Sequence, residues 1–587
     1  MRRFAIGESD FLLDGNPFQV VSGALHYFRV HPGQWADRID KARGMGLNTI
    51  ETCVPWNAHA PTPHEFDFAD GLDLGEFLRL VHDAGLYAIV RPGPYIGADW
   101  DNGGLPAWLQ REDGIGIRGN EPRFLAAVRE YLRQVYSVIE PLQINRDGPV
   151  ILVQLENEYG AFGADPTYLR ALVAATRAAN IVVPLTTADR ATDEMLASGG
   201  LPELHRTASF GADAFECLTL LRAHQPTGPL MCAEFRFHGA DHWGDRRHVT
   251  PVSRAAAELE TMLAFGASVN ISMFHGGTNF GLMGGASDHD RYRSAITSYD
   301  CDAALDEAGH PATAYYAFRE LISRYRAVPD APLPAAPRTL FLSAQLCDPV
   351  RLLEEPDRVR ATRSRHHSAP ALDELDGTPR FAFLSTNLWE ESRRSVLSVS
   401  EVRDHVSVFL DSAPVGTLSR ELNQRTLGLP HTIGRLTLMV EDHGRVSGGH
   451  RLGEPKGVIG GVAVNGVMLR GWEAQAVSLD QPPVDWCGPS GSPVQGPVAG
   501  PVALHATFLL DEPTDLHLDV NGWGRGVAWV NGFCLGRYWS RGPQFTLYVP
   551  RPVLRSGHNE LVVVELEAMT DTTAFFVDGP SLGHDGT

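Results

Sequence analysis

Two apolar runs in the first half of the chain end in glutamate. Val150-Ile151-Leu152-Val153-Gln154-Leu155 leads into Glu156-Asn157-Glu158, and Pro229-Leu230-Met231-Cys232-Ala233 leads into Glu234. Short apolar runs of this kind read as buried strands. Carboxylates at the ends of two such strands, facing one mouth, suit glycoside hydrolysis. One protonates the leaving oxygen while the other attacks the anomeric carbon or activates water, and neither task needs a metal or a cofactor. A single strand-end glutamate is more often an ion-pair partner or a helix cap; two in one fold, one beside Asn157, shift the balance toward chemistry. Other reactions lack their residues: there is no HExxH pair and no G-x-S-x-G elbow, and the glycines of His275–Gly281 have no accompanying lysine.

Such glutamates need a scaffold that gathers strand ends. Residues 1–326 contain eight candidate strands: Phe18–Ala24, Thr49–Val54, Tyr87–Arg91, Val150–Leu155, Ile181–Leu185, Thr207–Phe210, Pro229–Glu234 and Ser268–Phe274. Helical stripes lie between several of them, with Leu74, Phe77, Leu78 and Val81 in one and Leu125, Val128, Leu132, Val135 and Ile139 in another. This alternation predicts a (β/α)8 TIM barrel, whose active site sits at the C-terminal ends of its strands. An open doubly wound sheet would carry a Gly-rich phosphate turn after its first strand, where this chain has Ser22-Gly23-Ala24-Leu25-His26-Tyr27. Other polar groups follow the strands: His26 and Arg29, Trp56-Asn57, then Tyr95, Asp99 and Trp100. Trp56, Trp100, Trp108 and Trp243 near strand ends are candidates for stacking on sugar faces, against ordinary core packing.

A Pro/Ala stretch at 327–337 reads as a linker. Beyond it, short alternating runs such as Val406–Leu410 and Leu436–Val440, bounded by Gly, Pro, Asp and Asn, predict antiparallel sandwiches. A Gly/Pro/Ser-rich segment around 481–500 divides them, so the expected units are a barrel (1–326), a first β-domain (338–480) and a C-terminal jelly-roll β-domain (481–587).

The apolar fraction of 43% and charged fraction of 21% exclude disorder and fibre classes. The net charge of −21 argues against nucleic acid and anionic membranes as partners. The seven cysteines form no CxxC pair, and the chain shows neither a signal-like apolar core at its start nor a long apolar run. A cytoplasmic location, and with it a homo-oligomer, is the expectation.

At these residues the chain resembles glycoside hydrolase family 35, the β-galactosidase family. The resemblance rests on Gly104-Leu105-Pro106-Ala107-Trp108-Leu109, Gly148–Tyr159 with its Glu-Asn-Glu signature, Asp241-His242-Trp243-Gly244, His275–Gly281 and Gly522–Gly532. It implies Glu158 as general acid/base, Glu234 as nucleophile and Asn157 as partner of the sugar 2-hydroxyl, in a retaining reaction through a covalent glycosyl-enzyme on an oligosaccharide or glycoside substrate. It implies a galactose-binding-like last domain.

The departures lie in sugar recognition. The family usually has Tyr where Cys53 and Cys301 stand, and Cys-Ala-Glu-Trp where this chain has Gly97-Ala98-Asp99-Trp100; those positions, with Tyr299, meet the far side of the sugar. It often has Tyr where Arg236 follows the nucleophile, an arginine suited either to a negatively charged substrate group or to a structural ion pair. Lost donors at a hydroxyl-binding site alter discrimination strongly. Two outcomes are open: neighbours replace the lost contacts in a β-galactosidase, or the pocket accepts another β-linked sugar such as galactofuranosyl or glucosyl. A transglycosylase, with Trp243 as a candidate for its acceptor site, and a non-catalytic carbohydrate binder complete the field; retention of both glutamates argues against the last.

Overall fold

The computed structural model describes residues 2–111, 114–247, 249–330, 341–389, 395–486 and 491–583. Eight parallel strands close into a barrel: β1 (Val21–Leu25), β2 (Thr49–Cys53), β3 (Tyr87–Gly93), β4 (Val150–Leu155), β5 (Leu185–Arg190), β6 (His205–Phe210), β7 (Met231–Arg236) and β8 (Ser268–His275), with β8 pairing back onto β1. Helices between them cover the outside. In α1 (Leu74–Asp83), Asp73 caps the N-terminus by accepting from the Glu76 N–H, and Leu74, Phe77, Leu78 and Val81 are fully buried. In α2 (Pro122–Ile139), Glu121 accepts from the Phe124 N–H and Pro122 opens the first turn; the expected stripe from Leu125 to Ile139 is buried.

The fifth strand is displaced from its expected position. Ile181–Leu185 is only its approach: Val182 is exposed, and the N–H groups of Val182 and Val183 bond the Gln143 side chain instead of a neighbouring strand. The ladder runs over Leu185–Arg190, where Thr186, Thr187 and Asp189 are buried polar residues. The apolar run misleads because the upper barrel interior is polar, so the paired segment looks less strand-like than its lead-in.

The first β-domain stacks a six-stranded sheet (Thr362–His366, Trp472–Val477, Phe381–Trp389, Ile433–Glu441, His405–Leu410, Ala413–Ser419) on a four-stranded one. The second stacks five strands (Cys347–Arg351, Val502–Leu510, Gly557–Glu565, Arg525–Val530, Phe533–Trp539) on four (Leu342–Gln345, Thr573–Val577, Leu516–Asp519, Thr546–Val549). Leu342–Gln345 and Cys347–Arg351 thus pair with strands of the C-terminal domain, Thr573–Val577 and Val502–Leu510, although they fall in the segment expected to form the first β-domain. Alternation reveals a strand but not its partner, and antiparallel pairing across some 160 to 230 residues of chain is invisible locally. Most of the expected 327–337 linker, from residue 331 on, lies outside the described residues, as do 488–490.

Alternation also explains how the β-domains join. In the central strands of the six-stranded sheet, Leu384, Val408 and Leu438 face their own sandwich, while Phe381, Phe383, Phe409 and Met439 pack on Val527, Trp529, Val562 and Val564 of the other. The sheet is therefore apolar on both faces. Among the described residues, no helix is long and apolar enough to cross a membrane.

The barrel is tied to the first β-domain by buried charges. Asp101 accepts from the Arg445 N–H and pairs with Arg380, which also pairs with Asp442. Within the β-domain, Lys456, with no exposed side-chain surface, sits 2.5 Å from Asp404 and 3.5 Å from Asp442, and Asp404 in turn accepts from the Tyr292 hydroxyl of the barrel unit. Removing one partner of a buried pair leaves uncompensated charge, so Lys456→Met is expected to lower the first unfolding transition in urea by about 3–5 kcal/mol.

Candidate active site

The chain leaves β4 through two residues with left-handed backbone, Glu156 (φ 57°) and Glu158 (φ 45°). Such conformations cost of order 1–3 kcal/mol each and persist where the surroundings over-determine them. Here the Glu156 N–H bonds the Gly93 carbonyl at the end of β3, and the Glu158 N–H bonds the Ala188 carbonyl in β5. The Glu156 carboxylate is buried beneath the turn, where Arg118 holds it at 2.8 and 3.3 Å and the Tyr168 hydroxyl at 2.5 Å; it also accepts from the Asn157 N–H. Glu156 is an anchor, and the turn it anchors delivers Asn157 and Glu158 to the mouth.

Glu234, in β7, stands across from them. Arg91 of β3 donates from Nη1 to Glu234 Oε1 and, at 2.7 Å, to Asn157 Oδ1. Its Nε lies 3.4 Å from Glu51 of β2. The contact on Oδ1 leaves the Asn157 amide nitrogen as the donor facing away from Arg91. Arg236 donates through Nε and Nη2 to Glu234 Oε2, with the Nη2 contact at 2.8 Å, and through the same Nη2 to Glu158 Oε1. Arg190, ending β5, donates from Nε to Glu158 Oε2 at 3.1 Å. Burial raises the Glu234 pKa, but Arg236 and Arg91 outweigh it and hold the carboxyl at about 2. Burial drives Asp189 the other way, to about 7, with the charge of Glu158 adding to the effect and the Gly160 N–H opposing it.

A second group adjoins the first. Arg29, buried, lies 3.8 Å from the Tyr299 ring centroid and 5.0 Å from that of Trp100, and bonds the Ala98 carbonyl at 2.7 Å. The Tyr299 hydroxyl donates to Asp99 at 3.0 Å. Cys53 and Cys301 are both buried beside this cation, and burial raises both thiols, Cys53 to about 12. They are protonated free thiols. Both β-domains brace this wall: the Tyr95 hydroxyl bonds the Ser447 carbonyl, Thr297 bonds the Arg537 carbonyl, and the Ser298 N–H bonds Gln544.

Glu158, Glu234, Asn157 and Arg236 thus form one cluster, and Cys53, Ala98, Asp99, Tyr299 and Cys301 the wall beside it. Trp243 joins neither; it is buried against Ile296 and Trp539, between the barrel and the last β-domain. Among the described residues, no group of three or more His, Cys, Asp or Glu is placed to hold a metal ion.

A family profile described as "Glycosyl hydrolases family 35" matches residues 10–325. The chain belongs to this family. Two further profiles match in order, "Beta-galactosidase, first all-beta domain" over 372–479 and "Beta-galactosidase, galactose-binding domain" over 501–559. Among curated relatives, a beta-galactosidase of Mus musculus is 35% identical over 95% of this chain and 90% of its own length. One of Xanthomonas manihotis is 36% identical over 93% and 91%, and one of Homo sapiens 35% over 99% and 91%. The chain is accordingly a family 35 glycoside hydrolase.

Sequence reasoning missed Arg91, Glu51 and Arg190. Arg91 and Glu51 had a signal, since each is a charged residue inside a predicted strand, where only a paired charge is tolerated. Arg190 was hidden by the misplaced fifth strand. Arg91→Met removes the cation shared by two buried carboxylates and is expected to cost about 3–5 kcal/mol in urea denaturation at neutral pH. Because the folded-state pKa of Glu234 is depressed below the ordinary value of about 4.3, its ionisation stabilises the fold above that pH, and the contribution is lost as pH falls toward 2. The Arg91→Met deficit is therefore expected to shrink as the pH is lowered through this range.

Proposed function

We propose that the chain is a retaining exo-β-galactosidase in which Glu234 is the nucleophile and Glu158 the acid/base. The observation that carries this reading is the single nitrogen, Arg236 Nη2, that contacts both carboxylates. Two oxygens sharing one donor lie within two hydrogen-bond lengths of each other, close to the ~5–5.5 Å carboxyl spacing of retaining enzymes and short of the ~6.5–9.5 Å that leaves room for an inverting water.

Glu234, kept ionised by Arg91 and Arg236, attacks the anomeric carbon as the bond to the leaving oxygen breaks, and Glu158 gives that oxygen its proton. The ester bond removes the charge of Glu234. Glu158, now a carboxylate, takes a proton from the water whose oxygen displaces Glu234 from the anomeric carbon. Asn157, with Oδ1 fixed by Arg91, offers its amide nitrogen to the 2-hydroxyl, a contact that strengthens as the sugar flattens. The names of the relatives support galactose as the glycone.

The wall beside the cluster gives a second reading its footing. The buried, protonated thiols of Cys53 and Cys301 do not replace phenol hydroxyls as hydrogen-bond partners, and Asp99 with Tyr299 supplies the polar contacts that remain. A different glycone would follow from this change.

Initial rates on nitrophenyl β-glycosides with galactopyranosyl, galactofuranosyl, glucosyl, fucosyl and xylosyl groups decide between the two. The galactopyranoside is expected to lead, and a clear lead by another sugar would transfer the mechanism to that glycone. Glu234→Gln and Glu158→Gln are each expected to lower kcat/KM on the best unactivated substrate by about 10²–10⁴-fold or more. Proton NMR of the first-formed product is expected to show the β-anomer, and an initial α-anomer would overturn the retaining assignment.

A further inference from the structure

The side chains around Glu158 and Glu234 differ sharply in exposure. Cys53, Tyr299 and Cys301 are buried, whereas the side chains of Arg236 and Arg190 are 42% and 53% exposed. The open side of the site is therefore lined by two guanidinium groups. They meet the two oxygens of the same carboxylate, that of Glu158.

This arrangement has a consequence for the first chemical step. Glu158 must carry a proton when it serves as acid, and a neutral carboxyl offers no charge to either guanidinium. Arg236 still has Glu234. Arg190 has no other ion pair among the described residues. The Nη1 and Nη2 of Arg190 and the Nη1 of Arg236 bond no described residue. Three guanidinium nitrogens without a described partner, on two half-exposed side chains of which Arg190 alone lacks a second described carboxylate, sit beside the residue that protonates the leaving group.

We propose that Arg190 and Arg236 form a binding site for a carboxylate on the leaving group, so that the preferred substrate is a β-glycoside whose aglycone is acidic, such as a uronic acid. The proposal rests on the assignment of Glu158 as acid/base, because that assignment places the aglycone on the arginine side. A carboxylate suits the site because a planar guanidinium pairs with it through two parallel N–H donors, and because the same two arginines already hold one. A negative group on the glycone is disfavoured, since the wall on that side carries Asp99. The acidic substituent replaces the charge that Glu158 gives up on protonation, and it leaves with the aglycone as Glu158 becomes a carboxylate again.

The test compares two disaccharides with the same β-galactosyl group, one linked to glucose and one to glucuronate, at low salt and in 0.5 M sodium chloride. The glucuronate compound is expected to show a kcat/KM about tenfold higher at low salt, the size of one charge-assisted contact. Salt is expected to shrink that ratio, because the arginines are exposed. Arg190→Gln is expected to bring the ratio close to one, and Arg190→Lys to restore part of it. A ratio near one in the unaltered enzyme, or a ratio that Arg190→Gln leaves in place, would overturn the proposal while the glycosidase reading stands. If neither disaccharide is cleaved but another nitrophenyl glycoside is, the same pair is made with that sugar and read in the same way. Absence of turnover on every β-glycoside defeats the functional reading and the proposal with it.

Discussion

The site depends on one buried cation. Arg91 points from β3 into the barrel and meets Glu51 of β2, Glu234 of β7 and, through Asn157, the turn that follows β4. A lone guanidinium in this interior would carry a desolvation cost of several kcal/mol, and so would either glutamate. Together they are tolerable only in this geometry, which links the contact to the closure and register of the barrel. The same contact that makes the charges tolerable keeps Glu234 ionised and orients Asn157. Stability and chemistry share one residue, and neither can be adjusted there without the other.

The β-domains extend this constraint outward. Their sheets pack on each other through an apolar layer, and they grip the barrel through polar and charged contacts, as at Asp101, Arg380 and Arg445, as well as apolar ones, as at Trp243 and Trp539. The segments so gripped are those that carry the wall beside the glutamates: the first β-domain holds the stretch after β3 that bears Tyr95, Ala98 and Asp99, and the last holds the stretch that bears Tyr299 and Cys301. Loops supply most of the sugar-facing surface in a barrel enzyme and are its most mobile parts. Clamping them from two sides pre-organises the site.

Arg236 shows how one substitution can alter such a site without touching its mechanism. At a position where the resemblance to the family leads to the expectation of a tyrosine, it bridges both glutamates and extends toward solvent. A phenol there could donate one hydrogen bond, whereas a guanidinium adds permanent charge to the open side of the pocket. Together with Arg190 it balances the charges of Glu158 and Glu234, and that side carries an excess positive charge only while Glu158 is protonated.

Much of this was legible in the linear chain. The two glutamates at the ends of apolar runs, the alternation that closes as a barrel, and the switch to short antiparallel strands all follow from local periodicity, because period and strand-end chemistry are local properties. The Glu-Asn-Glu signature drew attention to the turn after β4, but nothing local separates Glu156, which is buried on Arg118, from Glu158, which faces Arg190 and Arg236; left-handed backbone at both residues sends them in different directions. Trp243 read as a candidate for sugar contact and lies in a domain interface, because an aromatic ring near a strand end serves packing as readily as stacking. The partners of Leu342–Gln345, the place of Arg190 and the shared contact of Arg236 were decided only by the tertiary structure. Each depends on which strands become neighbours in space, and charges that meet across a closed barrel leave no trace in the spacing of the residues that carry them.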